Sequence, residues 1–277
     1  MKPLFSIGPF TFYFFGLMIA LGALTGVYVF VKEVKRQGLN SDVLLNGVIY
    51  SLIGGIIGAR IVYILIYNPS YYFSNPIKIF AIHEGGLSIH GGILGGLLVG
   101  YFFLKQHKIP IWKTLDFVAP ALILAQGISR IGCDVFGGPI SLSLPWGMEI
   151  NGEYLHPAQA YEFLLDYLLF GYLWLRLKKP AYTGQVFLHY LIGFMVIRGV
   201  VEFFRINPMV FGPFSVSHIM SLIGIVLGII LIRYRKQKKE YSNKNNTVIK
   251  KSDYIRTLLC VIVLMVVSLI IYYLVQG

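Results

Sequence analysis

Eight apolar segments, each about as long as a bilayer is thick, constrain what this chain can fold into. A helix needs about 20 mainly apolar residues to cross roughly 30 Å of hydrocarbon. Segments of that kind lie at about residues 10–31, 44–67, 86–104, 114–132, 158–176, 184–204, 215–233 and 254–275. Because backbone groups in lipid must all be satisfied internally, the pattern predicts an all-α, polytopic transmembrane helical bundle.

Charge is scarce in the sequence, and its placement predicts the topology. Only 13% of the 277 residues are charged, compared with about 25% in soluble domains. Eighteen of the 24 Lys and Arg residues lie in or beside the odd-numbered connections between segments. The positive-inside rule therefore predicts that these connections are cytoplasmic and that the N-terminus is outside. Topology and attraction to anionic lipid explain the net charge of +12, so nucleic acid is not predicted as a partner.

The polar segment before the eighth span predicts three parts in the chain. Residues 1–233 form a core of seven spans, residues 234–253 a basic cytoplasmic linker, and residues 254–277 an additional C-terminal transmembrane helix. Two outer loops, 68–85 and 133–157, are rich in aromatic and turn residues. We expect these loops to form a small external cap, since Tyr and Trp favour the headgroup level.

Arginines at membrane depth are the first candidates for function, because each costs about 2.5–3.5 kcal/mol on insertion scales. Arg198, Glu202 and Arg205 share one helical face of the sixth segment, while Arg130 ends the fourth segment. Guanidinium groups match phosphate oxygens bidentately. Because Arg130 and Arg198 come from different segments and lie near one level, they are predicted to form a phosphate clamp, with Glu202 orienting Arg198. The structural alternatives are an internal ion pair for Arg198 and Glu202 and an anchor at the membrane interface for Arg130.

A glycine-rich stretch at residues 85–96 contains His90. Glycine on both sides of the ring would let a ligand or backbone approach closely, although a hydrogen-bonding structural histidine is the alternative. Most of the glycines, such as the pair Gly91/Gly95 and the earlier pair Gly54/Gly58, have the spacing that lets membrane helices pack tightly.

The start of the fifth segment, residues 156–162, supplies His156, Tyr161 and Glu162, which are either functional or capping and packing residues. The sequence contains no HExxH pair, nucleophile elbow or phosphate loop, so no metal and no organic cofactor is predicted. Composition and spacing thus predict an outward-facing pocket with arginines, a histidine and carboxylates. Such a pocket suits a membrane enzyme acting on an anionic phospholipid and, equally, an anion-coupled transporter.

Eight short motifs follow one another along the chain. They are 58–60 (GAR), 67–72 (YNPSYY), 85–92 (GGLSIHGG), 116–120 (DFVAP), 130–132 (RIG), 144–146 (LPW), 156–162 (HPAQAYE) and 198–205 (RGVVEFFR). With these motifs in this order, the chain resembles bacterial prolipoprotein diacylglyceryl transferases over about residues 5–233. The resemblance implies seven spans with the N-terminus outside, in the bacterial cytoplasmic membrane.

The implied reaction is the first step of bacterial lipoprotein maturation. The diacylglyceryl group of phosphatidylglycerol passes to the lipobox cysteine thiol of a preprolipoprotein, and glycerol 1-phosphate is released. The implied partners are therefore phosphatidylglycerol, preprolipoprotein signal peptides and the surrounding membrane lipids, and no cofactor is needed.

The resemblance also implies roles for individual residues. Arg130 and Arg198 bind the phosphate, His90 is the base, and Glu202 orients Arg198 or assists proton transfer. The further substrate-binding residues that it implies are Arg60, Gly91, Gly92, His156, Tyr161, Glu162 and Arg205.

Six positions depart from the family pattern. They are Ile19, Cys133, Phe136, Gly138, Phe194 and His218, which stand where the family usually has Tyr, Asn, Asn, Glu, Tyr and Gln. These departures support an alternative function, a divergent paralogue that uses another acceptor or binds lipid without turnover. A transporter would require a continuous polar pathway with charges in the cytoplasmic half as well, and most of the deep charges here lie toward the outer ends of the segments.

Overall fold

The computed structural model describes residues 2–8, 10–82, 85–140, 144–237 and 249–277. In these ranges the chain folds mainly into helices, which confirms the predicted all-α class. The long helices are α1 (Phe14–Arg36), α2 (Ser41–Tyr67), α4 (Ile89–Gln106), α5 (Ile111–Arg130), α6 (Ala158–Lys178), α7 (Gln185–Glu202), α8 (Val216–Gln237) and α9 (Lys251–Gln276). A short helix α3 (Pro69–Ser74) and a 3-10 helix (Pro76–Phe80) lie between α2 and α4.

Each of the eight predicted segments coincides with one long helix. Among the described residues, α1, α2, α5, α7, α8 and α9 are long and apolar enough to cross a membrane, so the protein is a multi-pass membrane protein. Helices α4 and α6 are not among these six; α6 carries the carboxyl groups of Glu162 and Asp166. The exact number of spans and the outside N-terminus stay predictions.

Three short antiparallel hairpins accompany the helices. They pair β1 (Pro3–Ile7) with β2 (Phe10–Tyr13), β3 (Met148–Ile150) with β4 (Glu153–Leu155), and β5 (Met209–Phe211) with β6 (Phe214–Ser215). The predicted start of the first span at residue 10 was wrong by four residues. The backbone of residues 10–13 pairs with β1, so the helix begins only at Phe14.

The chain forms two compact units, Val31–Thr114 and the combination of Met1–Phe30 with Leu115–Gly277. Helix α9 belongs to the same unit as α6, α7 and α8. The predicted division at residues 233 and 253 into a core, a linker and an additional helix stays a prediction. Much of the predicted linker, residues 238–248, lies outside the described residues.

In the unit Val31–Thr114, α2 packs on α4 through glycines. A Cβ atom on Gly58 would lie 2.5 Å from the carbonyl oxygen of Gly91, and one on Gly95 would overlap the carbonyl oxygen of Gly54. These contacts confirm the packing predicted for both glycine pairs. Gly91 is buried in this contact, and a Cβ on Gly92 would lie 3.6 Å or more from the atoms of α2. Substrate binding by these two glycines stays a prediction.

In the larger unit, α6 lies between α7 and α9 and buries Phe163, Tyr167 and Leu173. The start of α7 is capped from outside the helix by Asp116 of α5. Its carboxylate accepts hydrogen bonds from the backbone amides of Gly184, at 2.6 Å, and Phe187, at 3.0 Å. Asp116 therefore has the structural role that its place in the sequence predicts, because capping satisfies amides that the first turn leaves unpaired.

Candidate active site

The carboxylate of Glu162, on α6, joins arginines from the two neighbouring helices. Its Oε1 atom lies 2.9 Å from Nη2 of Arg130, the last residue of α5, and its Oε2 atom lies 3.6 Å from Nη1 of Arg198 on α7. The Glu162 side chain is almost fully buried. The two arginines predicted to form a phosphate clamp therefore lie together in one cluster, and Glu162 connects them.

A second carboxylate, that of Glu202, holds Arg198 from the same helix. Its Oε2 atom accepts a hydrogen bond of 2.9 Å from Arg198 Nη2, as the i, i+4 spacing predicts. Its Oε1 atom accepts from Ser215 Oγ at 2.6 Å and from Asn207 Nδ2 at 2.7 Å. With all these donors the buried carboxylate has a fixed orientation, so the Arg198 guanidinium is fixed as well.

Arg205 is the third guanidinium of the cluster, with Nε 3.9 Å from Oε2 of Glu202. Burial, and then the positive charges of Arg198 and Arg130, lower the pKa of the Arg205 guanidinium. Two buried donors, Nη1 of Arg198 and Nε of Arg205, have no hydrogen-bond partner among the described residues. Three guanidinium groups face the carboxylates of Glu162 and Glu202, and the buried carboxyl group of Asp166 lies one helical turn beyond Glu162. The guanidinium donors that make no hydrogen bond with the described residues are suited to bind an anion.

Four side chains form an aromatic cluster beside this centre. The indole of Trp146 donates to the hydroxyl oxygen of Tyr161 at 3.1 Å, and that hydroxyl lies 3.2 Å from Nδ1 of His156. The ring of Phe204 contacts both Tyr161 and His156 edge-on. Because the Tyr161 oxygen accepts from Trp146, its own proton is free to point to His156 Nδ1. Two of the predicted substrate-binding residues, His156 and Tyr161, are thus in direct contact with each other.

The departures from the family pattern have structural partners in this unit. Cys133 is buried, its Sγ atom lies 3.7 Å from Arg130 Nη1, and its carbonyl oxygen accepts a hydrogen bond from Gln159 Nε2 at 3.1 Å. His218 accepts from the Ser215 amide through Nδ1 at 3.1 Å. Both positions therefore support the arginine and glutamate cluster, although their side chains differ from the family pattern.

In the unit Val31–Thr114, Arg60 organises a loop. Its guanidinium donates four hydrogen bonds, which go to the backbone carbonyl oxygens of Lys78, Ile79, Gly85 and Gly86. The ring of Tyr72 lies 5.1 Å from the guanidinium carbon. Four of the five N–H groups of Arg60 are thus bonded to the protein itself, and the predicted substrate contact of Arg60 stays a prediction.

His90, the predicted base, is the second residue of α4, and its side chain is exposed. The helix begins after Ser88, whose side chain caps the Gly91 amide. An exposed imidazole near the first turn of a helix is accessible to a substrate, and the role of His90 as base stays a prediction.

Sequence reasoning missed Asn207, Ser215 and Gln159. Asn207 lies two residues before the β5–β6 hairpin and Ser215 is the last residue of its second strand, and no motif marks this hairpin in advance. Gln159 belongs to the motif 156–162, but its contact with the Cys133 carbonyl depends on how α6 meets the end of α5. The family motif was the only available signal for Gln159.

The fold and the cluster together define a multi-pass membrane protein with an arginine-rich centre held by its own carboxylates. Comparison with known sequences gives the family. The sequence model of prolipoprotein diacylglyceryl transferases matches residues 2–234, and the chain belongs to that family.

Curated relatives agree with this result. The chain is 37% identical over 236 residues to the phosphatidylglycerol–prolipoprotein diacylglyceryl transferase of Clostridioides difficile strain 630, covering 84% of this chain and 92% of the relative. The enzyme of the same name from Staphylococcus haemolyticus is 37% identical over 253 residues, with 86% and 89% covered. That from Staphylococcus aureus strain MSSA476 is 35% identical over 249 residues, with 84% and 88% covered.

Proposed function

We propose that this protein transfers the diacylglyceryl group of phosphatidylglycerol to the lipobox cysteine thiol of a preprolipoprotein and releases glycerol 1-phosphate. The observation that carries the proposal is the Glu162 bridge between Arg130 and Arg198. In the same cluster the buried donors Nη1 of Arg198 and Nε of Arg205 face carboxylate oxygens at 3.6 and 3.9 Å and make no hydrogen bond within the described part of the chain. The names of the relatives supply the lipid and the acceptor. The site of action that we propose is the bacterial cytoplasmic membrane.

The reaction exchanges one bond at the glyceryl carbon that carries the phosphate. The acceptor thiol, with an ordinary pKa of about 8.5, must lose its proton to become the nucleophile. The thiolate then forms a C–S bond while the C–O bond to phosphate breaks, and the bonding electron pair leaves on the phosphate oxygen. A phosphodiester with one negative charge becomes a phosphomonoester that gains a second charge, so negative charge grows on the phosphate in the transition state.

Arg130 and Arg198 are suited to stabilise that growing charge. Donors and charges that are oriented before the reaction lower the barrier, because little reorganisation is needed when the charge develops. Interactions that strengthen only in the transition state raise the rate rather than merely tightening binding. Glu162 and Glu202 supply the orientation, and Arg205 adds a third positive charge near the phosphate.

We assign the thiol proton to His90. A neutral imidazole can accept a proton from a positioned thiol. His90 lies at the exposed start of α4. A His90→Ala variant should therefore lose transfer, and the loss should be smaller when the pH of the assay is raised, because more of the acceptor thiol ionises without help.

The deciding experiment measures transfer of label from radiolabelled phosphatidylglycerol to a lipobox peptide by the purified protein. We expect Arg198→Ala and Arg130→Ala to lower the rate by about 100-fold or more, the usual effect of removing one oriented donor at a developing oxyanion. Arg233→Ala is the matched control, because Arg233 is exposed near the end of α8. Its rate should equal that of the wild type.

Two results would overturn the proposal. One is full activity of both arginine variants. The other is a folded wild-type protein that transfers no label to a peptide with the lipobox cysteine, which would favour the divergent paralogue instead.

A further inference from the structure

Helix α9 lies beyond the residues that match the family, which end at residue 234, yet it packs directly on α6. One side of α9 is exposed and apolar. The buried side carries Thr257, Val261, Ser268, Tyr272 and Gln276, four of which have hydrogen-bonding groups. A helix that only anchored the chain would need no buried polar side chains, since these are costly without partners. The buried side of α9 is therefore built for specific contacts.

The first of these contacts leads to Arg130. The hydroxyl of Tyr272 donates to Oε1 of Gln159 at 3.1 Å, and Nε2 of Gln159 donates to the carbonyl oxygen of Cys133 at 3.1 Å. Tyr272 and Gln159 are 0% and 1% exposed, so water does not compete for these bonds. The Cys133 amide in turn donates to the carbonyl oxygen of Arg130. Two buried hydrogen bonds thus connect α9 to the turn that follows Arg130.

The second contact leads to the aromatic cluster. The hydroxyl of Tyr273 donates to the carbonyl oxygen of Trp146 at 2.8 Å. The Trp146 indole donates to the hydroxyl of Tyr161, which lies beside His156. The two neighbouring tyrosines at the end of α9 therefore support different parts of the site. Tyr272 supports the turn that follows Arg130, and Tyr273 supports the aromatic cluster.

Further contacts hold α9 along α6, so that the two tyrosine hydroxyls lie at a fixed level. The hydroxyls of Tyr167 and Ser268 are 2.8 Å apart in a buried position. At the opposite end of α9, Lys178 pairs with Asp253 at 2.7 Å. The helix is thus held on α6 at its middle and at both ends.

We propose that α9 is a positioning element of the transfer site. Tyr272 acts through Gln159 on the turn that carries Arg130, and Tyr273 acts through Trp146 on Tyr161. Neither tyrosine touches the substrate, so both are positioning residues. The kinetic consequence of this inference rests on the transferase function proposed above.

The kinetic test compares three Tyr→Phe variants of the full chain. Tyr272→Phe and Tyr273→Phe each remove one hydroxyl and keep the ring, while Tyr254→Phe makes the same change at an exposed position near the start of α9. We expect the first two to lower kcat about three- to tenfold, the range that corresponds to losing one hydrogen bond. The KM for phosphatidylglycerol should stay near that of the wild type, and Tyr254→Phe should change neither kcat nor KM. A purely structural α9 predicts an unchanged kcat in all three variants, whatever the thermal unfolding midpoint.

A second measurement does not depend on activity. In protein with Cys260→Ala, which leaves Cys133 as the single thiol, the rate of Cys133 alkylation by a maleimide reports how firmly its turn is held. We expect Tyr272→Phe to raise that rate several-fold and Tyr254→Phe to leave it unchanged. Wild-type protein without transferase activity would count against the proposed function, and the alkylation rates would still test the role of α9. An active wild type with equal kcat values and equal alkylation rates in Tyr272→Phe and Tyr254→Phe would overturn the inference alone.

Discussion

Glu162 Oε1 lies 2.9 Å from Arg130 Nη2, and this pair joins the second turn of α6 to the last residue of α5. The other oxygen of the same carboxylate lies 3.6 Å from Arg198 Nη1. One side chain therefore sets the separation between two guanidinium groups that come from different helices. That separation decides whether one phosphate can contact both groups.

Removing the charge of Glu162 should disturb this arrangement. We expect Glu162→Gln to lower transfer by about 10- to 100-fold, since each tenfold corresponds to about 1.4 kcal/mol of transition-state stabilisation. The amide keeps the volume of the side chain but cannot accept from both arginines with a full charge. Transfer to the lipobox peptide measures the effect. Glu153→Gln, at an exposed glutamate of β4, is the control, and equal rates for the two variants would contradict the assigned role of Glu162.

Ser215 should support Glu202 in the same way. Ser215→Ala removes the 2.6 Å hydrogen bond to Oε1 of Glu202 and leaves the bond from Asn207. Hydrogen bonds to charged groups contribute about 1.5–3 kcal/mol, so with one donor remaining we expect kcat to fall about three- to tenfold. Ser252→Ala, at the exposed start of α9, should keep the wild-type kcat. An unchanged kcat for Ser215→Ala would contradict the assigned support of Glu202 by Ser215.

The contact between α2 and α4 should tolerate no side chain at Gly58. In Gly58→Ala the new Cβ would meet the Gly91 carbonyl oxygen at 2.5 Å, so the helices must separate. Overpacking of this kind costs about 1–3 kcal/mol, and we expect a lower thermal unfolding midpoint. Gly16→Ala in α1 is the matched control, because no other atom lies within 4 Å of its new Cβ. A midpoint for Gly58→Ala as high as that of Gly16→Ala would argue against close packing here.

Arg60 should be needed for the order of residues 76–82, which comprise the 3-10 helix and the two residues after it. A lysine keeps the charge but lacks the planar fork that reaches several carbonyl oxygens at once. We therefore expect Arg60→Lys to speed hydrogen exchange of the backbone amides in residues 76–82, measured by mass spectrometry. Arg36→Lys changes another arginine with a two-pronged contact, the one with Glu33, and should leave exchange in residues 76–82 unaltered. Equal exchange in both variants would show that the four hydrogen bonds of Arg60 do not order this segment.

The positions of the helices and of most charged site residues could be predicted because each depends on local sequence. A helix in lipid requires an uninterrupted apolar run, and Arg198 and Glu202 meet through the i, i+4 geometry of a single helix. The wrong start of the first span has a different origin. Residues 10–13 are apolar enough to extend the span, but their backbone pairs with β1.

The amino-acid sequence by itself determined the helical membrane fold, the family, and the presence of Arg130, Arg198 and Glu202 in one site. Only the tertiary structure decided which groups hold these residues in place. Glu162 meets its arginines across three helices, and Tyr272 meets Gln159 from 113 residues away. The physical reason is that a buried hydrogen bond between distant residues depends on how the helices pack against each other, which no local pattern of residues specifies.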